Sequence, residues 1–257
     1  MYTCGIDVGS VSTKVVILDR KNNKIASYEI TPTGSDGKNA AIKALDGSLK
    51  KAGLKDNDIK ATVATGYGRI NIPFADKNIT EISCNTRGAI SLFPYLNTII
   101  DIGGQDSKVI KVKDGKPIDF LMNDKCAAGT GRFLEVMARA MEINLEQFAP
   151  IFIKTNDKVD IISTCTIFAE SEIVSLIGQG IDKNKIIKGL IYSIADKITS
   201  MIRRVGLDEP VCMTGGVAKN LGVVKALEEN LEIKINIPDE PQIIGALGAA
   251  YLAQNLH

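Results

Sequence analysis

Short runs rich in β-branched and apolar residues alternate along this chain with longer runs of helical period. "YTCGIDV" (2–8), "TKVVILD" (13–19) and "KIASYEI" (24–30) read as strands. "GKNAAIKALDGSLKKAG" (37–53) reads as an amphipathic helix and "KATVAT" (60–65) as a further strand. The pattern then restarts. Laying "GIDVGSVSTKVVIL" over "IIDIGGQDSKVIKV" matches Asp7 with Asp101, Gly9 with Gly103 and Lys14 with Lys108, with apolar positions falling on apolar positions. The offset, 94 residues from 7 to 101, is far longer than the period of about 20 to 50 residues of a solenoid. It predicts two related lobes, divided into 1–95 and 96–257, with the C-terminal helix free to pack back on the first lobe.

Each repeat brings a carboxylate to a strand end and follows it with glycine, which lets backbone approach an anion closely. Free N–H groups and the hydroxyls of Ser10, Ser12 and Thr13 suit phosphate oxygens. Asp7 or Asp101 suits hydrated Mg²⁺, which takes few carboxylates and keeps several waters. One such turn alone is equally a plain hairpin with acidic and glycine turn residues. A pair in register, followed by a third glycine turn, favours phosphate binding. That third turn lies in "PVCMTGGVAKNLGVVKALEEN", where an apolar strand runs into Gly215 and Gly216 ahead of a helix. Neither a P-loop nor a dinucleotide fingerprint occurs. Lys14 and Lys108 read equally as phosphate ligands or as solvated strand residues.

Composition narrows the classes. With 45% hydrophobic and 24% charged residues, 257 residues can bury a substantial core. A net charge of +1 argues against a nucleic-acid surface. No run of 18 apolar residues predicts a membrane span, and "MYTCGIDVGS" does not read as a signal peptide. Five cysteines, at 4, 84, 126, 165 and 212, include no C-x-x-C pair, which fits a reducing, cytoplasmic setting. Cys4, Cys84 and Cys212 sit among apolar residues and suit core packing. Cys126 and Cys165 differ, since each reads as lying just ahead of a helix. The single histidine, His257, is expected to be a frayed terminal residue.

Two phosphate turns and a late glycine pair resemble the actin, sugar-kinase and heat-shock-chaperone ATPases, an α/β fold of two related lobes with a nucleotide cleft between them. "NDKCAAGTGRFLEVMA", "STCTIFAESEI", "IDIGGQDSKVI", "TGYGR" and "GALGAA" sharpen this. Together they resemble the activator ATPases of 2-hydroxyacyl-CoA dehydratases, with the ATPase subunits of benzoyl-CoA reductase as relatives. That resemblance implies an ATPase coupled to transfer of one low-potential electron, from a ferredoxin or flavodoxin to an iron–sulfur dehydratase or reductase. It implies a homodimer sharing one [4Fe–4S] cluster, with Cys126 and Cys165 as the two ligands from each chain.

By the same resemblance, Ser10, Val11, Ser12, Thr13 and Lys14 hold terminal phosphates of ATP, with Asp7 near Mg²⁺. Gly104, Gln105 and Asp106 form the second phosphate turn, with Gln105 orienting water. Asp101 holds Mg²⁺ waters or acts as base. Gly215, Gly216 and Lys219 approach the nucleoside, and Gln242 in "PQIIGALGAA" contacts the nucleotide. Asn85 stands where the family commonly has histidine, so no imidazole role carries over to it. Two rivals share the fold: a small-molecule kinase of amino-sugar type, and a nucleotide-switched binding protein like the chaperones, for whose extra subdomains 257 residues leave little room. The kinase leaves Cys126 and Cys165 without purpose.

Overall fold

A computed structural model describes residues 1–162 and 165–256. By its contacts the chain divides into two units. The first comprises Met1–Ile99, Val112–Ile118 and the segment from Pro238 onward, and the second Ile100–Lys111 and Asp119–Ile237. Among the described residues no helix is long and apolar enough to cross a membrane.

In the first unit, β1 (Tyr2–Val8), β2 (Ser12–Asp19) and β3 (Lys24–Pro32) form an antiparallel meander. Helix α1 (Gly37–Ala52) then returns the chain to β4 (Ile59–Thr65), which pairs parallel to β1; β5 (Lys77–Asn78) and α2 (Glu81–Leu92) follow. The helix reads from the sequence because Asp36 caps its start, accepting from the Asn39 amide, and Gly53 ends it in the left-handed region at φ 67. The strand order is β3-β2-β1-β4-β5.

The second sheet repeats that order. β6 (Thr98–Ile102), β7 (Ser107–Lys113) and β8 (Lys116–Asn123) are followed by α3 (Gly131–Met141), α4 (Phe148–Lys154), α5 (Thr166–Gly178) and α6 (Lys183–Val205). After these come β9 (Val211–Thr214), α7 (Leu221–Leu231) and β10 (Ile235–Asn236). Its order, β10-β9-β6-β7-β8, is that of the first sheet read from the other end. The fold is therefore α/β with two β-sheet lobes of one topology, as the repeated turn predicts. The duplication is unequal in one place: residues 33–58 join β3 to β4, whereas residues 124–210 join β8 to β9. Cys126 and Cys165 both lie in that longer connection.

Helix α8 (Ile244–Ala253) belongs to the first unit, where "GALGAA" packs backbone to backbone. A Cβ at Gly5 would collide with the Ala246 carbonyl, one at Gly88 with the Ile244 carbonyl, and one at Gly248 with the Cys84 carbonyl. Small residues therefore set how closely α8 approaches β1 and α2. The second unit's core is conventional by comparison, with Ile186, Leu190, Ile194 and Ile198 of α6 packed among Ile100, Ile102, Met137 and Phe148.

Urea unfolding tests the close approach. Gly248→Ala is expected to cost at least about 2 kcal/mol through overpacking. Gly178→Ala, where a Cβ meets nothing within 4 Å, is expected to gain up to about 1 kcal/mol from helix propensity. Equal midpoints for the two variants would contradict this packing.

Candidate functional site

Each sheet ends in the same device. In the β1–β2 turn the Gly9 amide donates to the Ser12 carbonyl (3.2 Å), and in the β6–β7 turn the Gly103 amide donates to the Asp106 carbonyl (2.9 Å). Asp7 and Lys14 face each other in the strand register, and Lys14 Nζ lies 3.5 Å from Asp7 Oδ2. Lys108 Nζ lies 3.3 Å from Asp101 Oδ2 and 2.9 Å from Asp106 Oδ2. Both lysines are thus counter-ions at the base of a turn rather than solvated strand residues. The second is the deeper, with a side chain 4% exposed against 14% for Lys14.

The third turn closes this arrangement. Thr214 Oγ1 donates to Asp101 Oδ1 at 2.9 Å, so both carboxylate oxygens of Asp101 are engaged. Gly215 follows at φ 84, a region costly for other residues, and a Cβ there would collide with the Ile102 carbonyl. Its counterpart in the first unit is absent from the residues expected from the sequence. Thr65 and Gly66 of "TGYGR" end β4 as Thr214 and Gly215 end β9. Gly66 has φ 83, and its missing Cβ would meet the Asp7 carboxylate and Val8 carbonyl. A signal was present: both strands end in Thr-Gly, "VATGYG" and "CMTGGV".

Of the expected phosphate contacts, Ser10 and Val11 are exposed at the first turn and Gln105 at the second, with Ser12, Gly104 and Asp106 half-buried. Thr13 is buried and spends its hydroxyl on Thr33 Oγ1 (2.9 Å), while Thr33 Oγ1 lies 2.7 Å from the Gly9 carbonyl. Thr13 and Thr33 therefore brace the first turn from behind. Gly216 and Lys219 lie on the 3₁₀ turn after β9, with Lys219 exposed. Gln242 lies half-buried on the turn before α8 in the first unit. Asn85 is buried, and like Asp7 it lies close against Gly245 at the start of α8.

The five cysteines separate cleanly. Cys4, Cys84 and Cys212 are buried, and burial pushes each thiol up to about 12. Cys126 and Cys165 are exposed. Cys165 is the N-cap of α5, as expected, and its carbonyl accepts from the Ala169 amide. Ser163 and Thr164 of its motif, and His257, lie outside the described residues.

Cys126 requires a correction. It does not begin a helix, because α3 starts five residues later at Gly131. Gly129 at φ 82 and an extended Thr130 at the N-cap stop the helical pattern from reaching back. Asn123 Nδ2 meanwhile takes the carbonyls of Cys126 (2.9 Å) and Ala128 (3.0 Å). A helix-dipole effect is therefore immediate at Cys165 alone.

Helix α3 is tied to the β6–β7 turn. The Gly131 amide donates to the Gly103 carbonyl (2.9 Å) and the Arg132 amide to the Gly104 carbonyl (2.7 Å). A Cβ on Gly131 would lie 3.2 Å from the Gly103 carbonyl and 3.5 Å from Val217 Cγ2. Helix α5 packs on α3 and buries Ala169 and Ile173, yet it leaves Ile167 (72%), Phe168 and Val174 exposed, beside Ile162 (84%). A helix apolar on both sides, half of it uncovered, marks a contact surface.

Comparison with known proteins agrees with this geometry. The family model described as BadF/BadG/BcrA/BcrD ATPase family matches residues 4–253. An activator of lactoyl-CoA dehydratase from Anaerotignum propionicum is 50% identical, over 98% of this chain and 97% of that protein. A benzoyl-CoA reductase component of Thauera aromatica is 30% identical, over 96% and 91%. The crystal structure of the Acidaminococcus fermentans (R)-2-hydroxyglutaryl-CoA dehydratase component A superposes with a TM-score of 0.95 at 44% identity, covering 99% and 98% of the two chains. The activator of the 2-hydroxyisocaproyl-CoA dehydratase from Clostridium difficile, with bound ADPNP, gives 0.94 at 44%, covering 99% and 95%. A ROK family glucokinase of Streptomyces griseus, 14% identical with a TM-score of 0.58 and coverage of 99% and 100%, shares the fold alone and lends the kinase rival no support.

The two lysines are not equivalent, and urea midpoints at pH 7 should separate them. Lys108→Ala leaves two carboxylates facing each other in a buried site and is expected to cost about 3 kcal/mol. Lys14→Ala, beside one more exposed carboxylate, should cost less than about half that. The reverse order would contradict the assignment of Lys108 as the buried counter-ion.

Proposed function

The chain belongs to the BadF/BadG/BcrA/BcrD ATPase family, and we propose that it is an ATP-dependent activator. In this reading it passes single low-potential electrons to an iron–sulfur dehydratase acting on a 2-hydroxyacyl-CoA, or to a related reductase. One observation carries the reading. The only two exposed cysteines among the described residues lie in the connection that enlarges the second unit, and α3, downstream of Cys126, is hydrogen-bonded to a phosphate turn. A kinase has no use for that arrangement.

The donor set fits a [4Fe–4S] cluster. Such a cluster takes four thiolates, and each chain presents two, so a twofold homodimer supplies the set. The uncovered apolar side of α5, next to Cys165, suits that dimer contact. When bound, the cluster supplies a one-electron carrier. Cys126 and Cys165 would hold it, and the free amides of the first turn of α5 would offset its negative charge. A ferredoxin or flavodoxin of the cytoplasm is the proposed donor.

Raising an electron by 59 mV costs roughly 1.4 kcal/mol, so a lift of about 300 mV costs about 7 kcal/mol. Nucleotide hydrolysis is of sufficient size. Ser10 to Lys14 and Gly104 to Asp106 hold the phosphates of ATP, and Asp7, partly exposed, would hold waters of Mg²⁺, which would supply charge neutralisation at the phosphates. Gln105, exposed at the tip of its turn, orients the attacking water. Asp101 has both oxygens engaged, which suits a fixed acceptor shaping the turn better than a base that takes up a proton. Gly215, Gly216 and Lys219 meet the nucleoside, with Gln242 as a further contact.

Release of phosphate alters the Gly103–Asp106 turn, and the Gly131 and Arg132 amides pass that change to α3 and the Cys126 segment. ATP and ADP must bind two arrangements with different affinity for this to bias anything.

Protein purified without oxygen is expected to hold about four iron and four acid-labile sulfide per dimer, both lost in Cys126→Ser. An iron-free dimer with intact ATPase activity would overturn the electron-transfer reading.

A further inference from the structure

The segment that carries Cys126 is held in an unusual way. Three successive carbonyls, those of Cys126, Ala127 and Ala128, are all occupied within the segment. Asn123 Nδ2 donates to the first and third (2.9 and 3.0 Å), and Thr130 donates to the second through its amide (3.1 Å) and its hydroxyl (2.6 Å). Both partners of the Asn123 amide are acceptors, so only its nitrogen can face them. The amides of Ala127, Ala128 and Gly129 find no acceptor among the described residues, although Ala128 and Gly129 are buried.

Buried amides without partners are rare in folded chains. A turn whose carbonyls are all spoken for and whose amides are not is a cradle for an anion. Gly129 lies in the left-handed region, and a Cβ there would also press on the Lys197 side chain, so this shape is built rather than incidental.

We propose that Asn123 is a positioning residue for the redox centre. It draws the carbonyls of Cys126 and Ala128 onto its own amide, which commits the amides of Ala127, Ala128 and Gly129 to the sulfur atoms of the group that Cys126 holds. Hydrogen bonds to cluster sulfurs stabilise the reduced, more negative state and so raise the potential. The inference rests on the cluster reading above, and its experiment separates the two.

The test uses the full-length dimer with Asn123→Asp, which keeps the size of the side chain but turns an oxygen toward both carbonyls, and Asn123→Ala, which adds no charge. In cluster-free protein, alkylation by iodoacetamide at pH 8 is followed separately at Cys126 and Cys165. Asn123→Asp is expected to slow Cys126 by about fivefold or more and to leave Cys165 unchanged. In anaerobically loaded protein with normal iron content, the equilibrium with a viologen mediator is expected to shift about tenfold toward the oxidised cluster in Asn123→Asp, 59 mV per tenfold for one electron. Asn123→Ala should shift it the same way by less.

A wild-type potential in both loaded variants would overturn the proposal while leaving the cluster reading intact. An unchanged Cys126 rate would overturn the positioning claim whether or not iron binds. A wild-type dimer that takes up no iron would overturn the cluster reading and the effect on potential with it. Unaltered thermal melting and ATP affinity in the variants are required for either rate or potential to count as support.

Discussion

A lysine buried between two carboxylates fixes the functional end of the second unit. Lys108 has almost no contact with solvent and is compensated by Asp101 and Asp106. A charge taken out of water is tolerable only with such partners, so its position dictates theirs. Asp106 is thereby drawn back under the turn, where its carbonyl takes the Gly103 amide. Asp101 is held with one oxygen on Lys108 and the other on Thr214. The turn can then present the Gly103 and Gly104 carbonyls to the first amides of α3, and the chain leading from Cys126 is anchored as a consequence. Strand end, glycine turn, helix start and thiol form one continuous path inside a single unit.

The first unit has the same turn without that path. Its lysine meets one carboxylate, and Ser12 stands where the second turn has Asp106. The connection after its third strand is short and carries one helix. The chain has thus used one strand–turn–strand device twice and built the cysteine segment onto one copy only.

Much of this was legible in the sequence because a strand-end carboxylate, a following glycine and a cross-strand lysine leave a pattern at fixed spacing. Asp7 with Asp101 and Lys14 with Lys108 were matched by offset alone, although the ion pair that each lysine makes with its own aspartate was not. Periodicity placed β1 to the residue and α1 to within one. Three things were not legible. The full separation of Cys126 from the start of α3 was not, because the left-handed Gly129 and the grip of Asn123 are tertiary facts. The bond between Thr13 and Thr33 was not foreseen, because it crosses from β2 to the segment after β3. Gly66 was not recognised as the partner of Gly215, since the match spans only Thr-Gly at a strand end.

If the β6–β7 turn holds nucleotide phosphate, the nucleotide state is felt at Cys126. Hydrogen exchange at the Gly131 and Arg132 amides, with Cys126 alkylation alongside, tests it in cluster-free protein saturated with either ADP or ADPNP. Both amides are expected to exchange at rates differing by about tenfold between the two nucleotides, with Cys126 alkylation differing in step. Identical exchange and identical alkylation in the two states would contradict it.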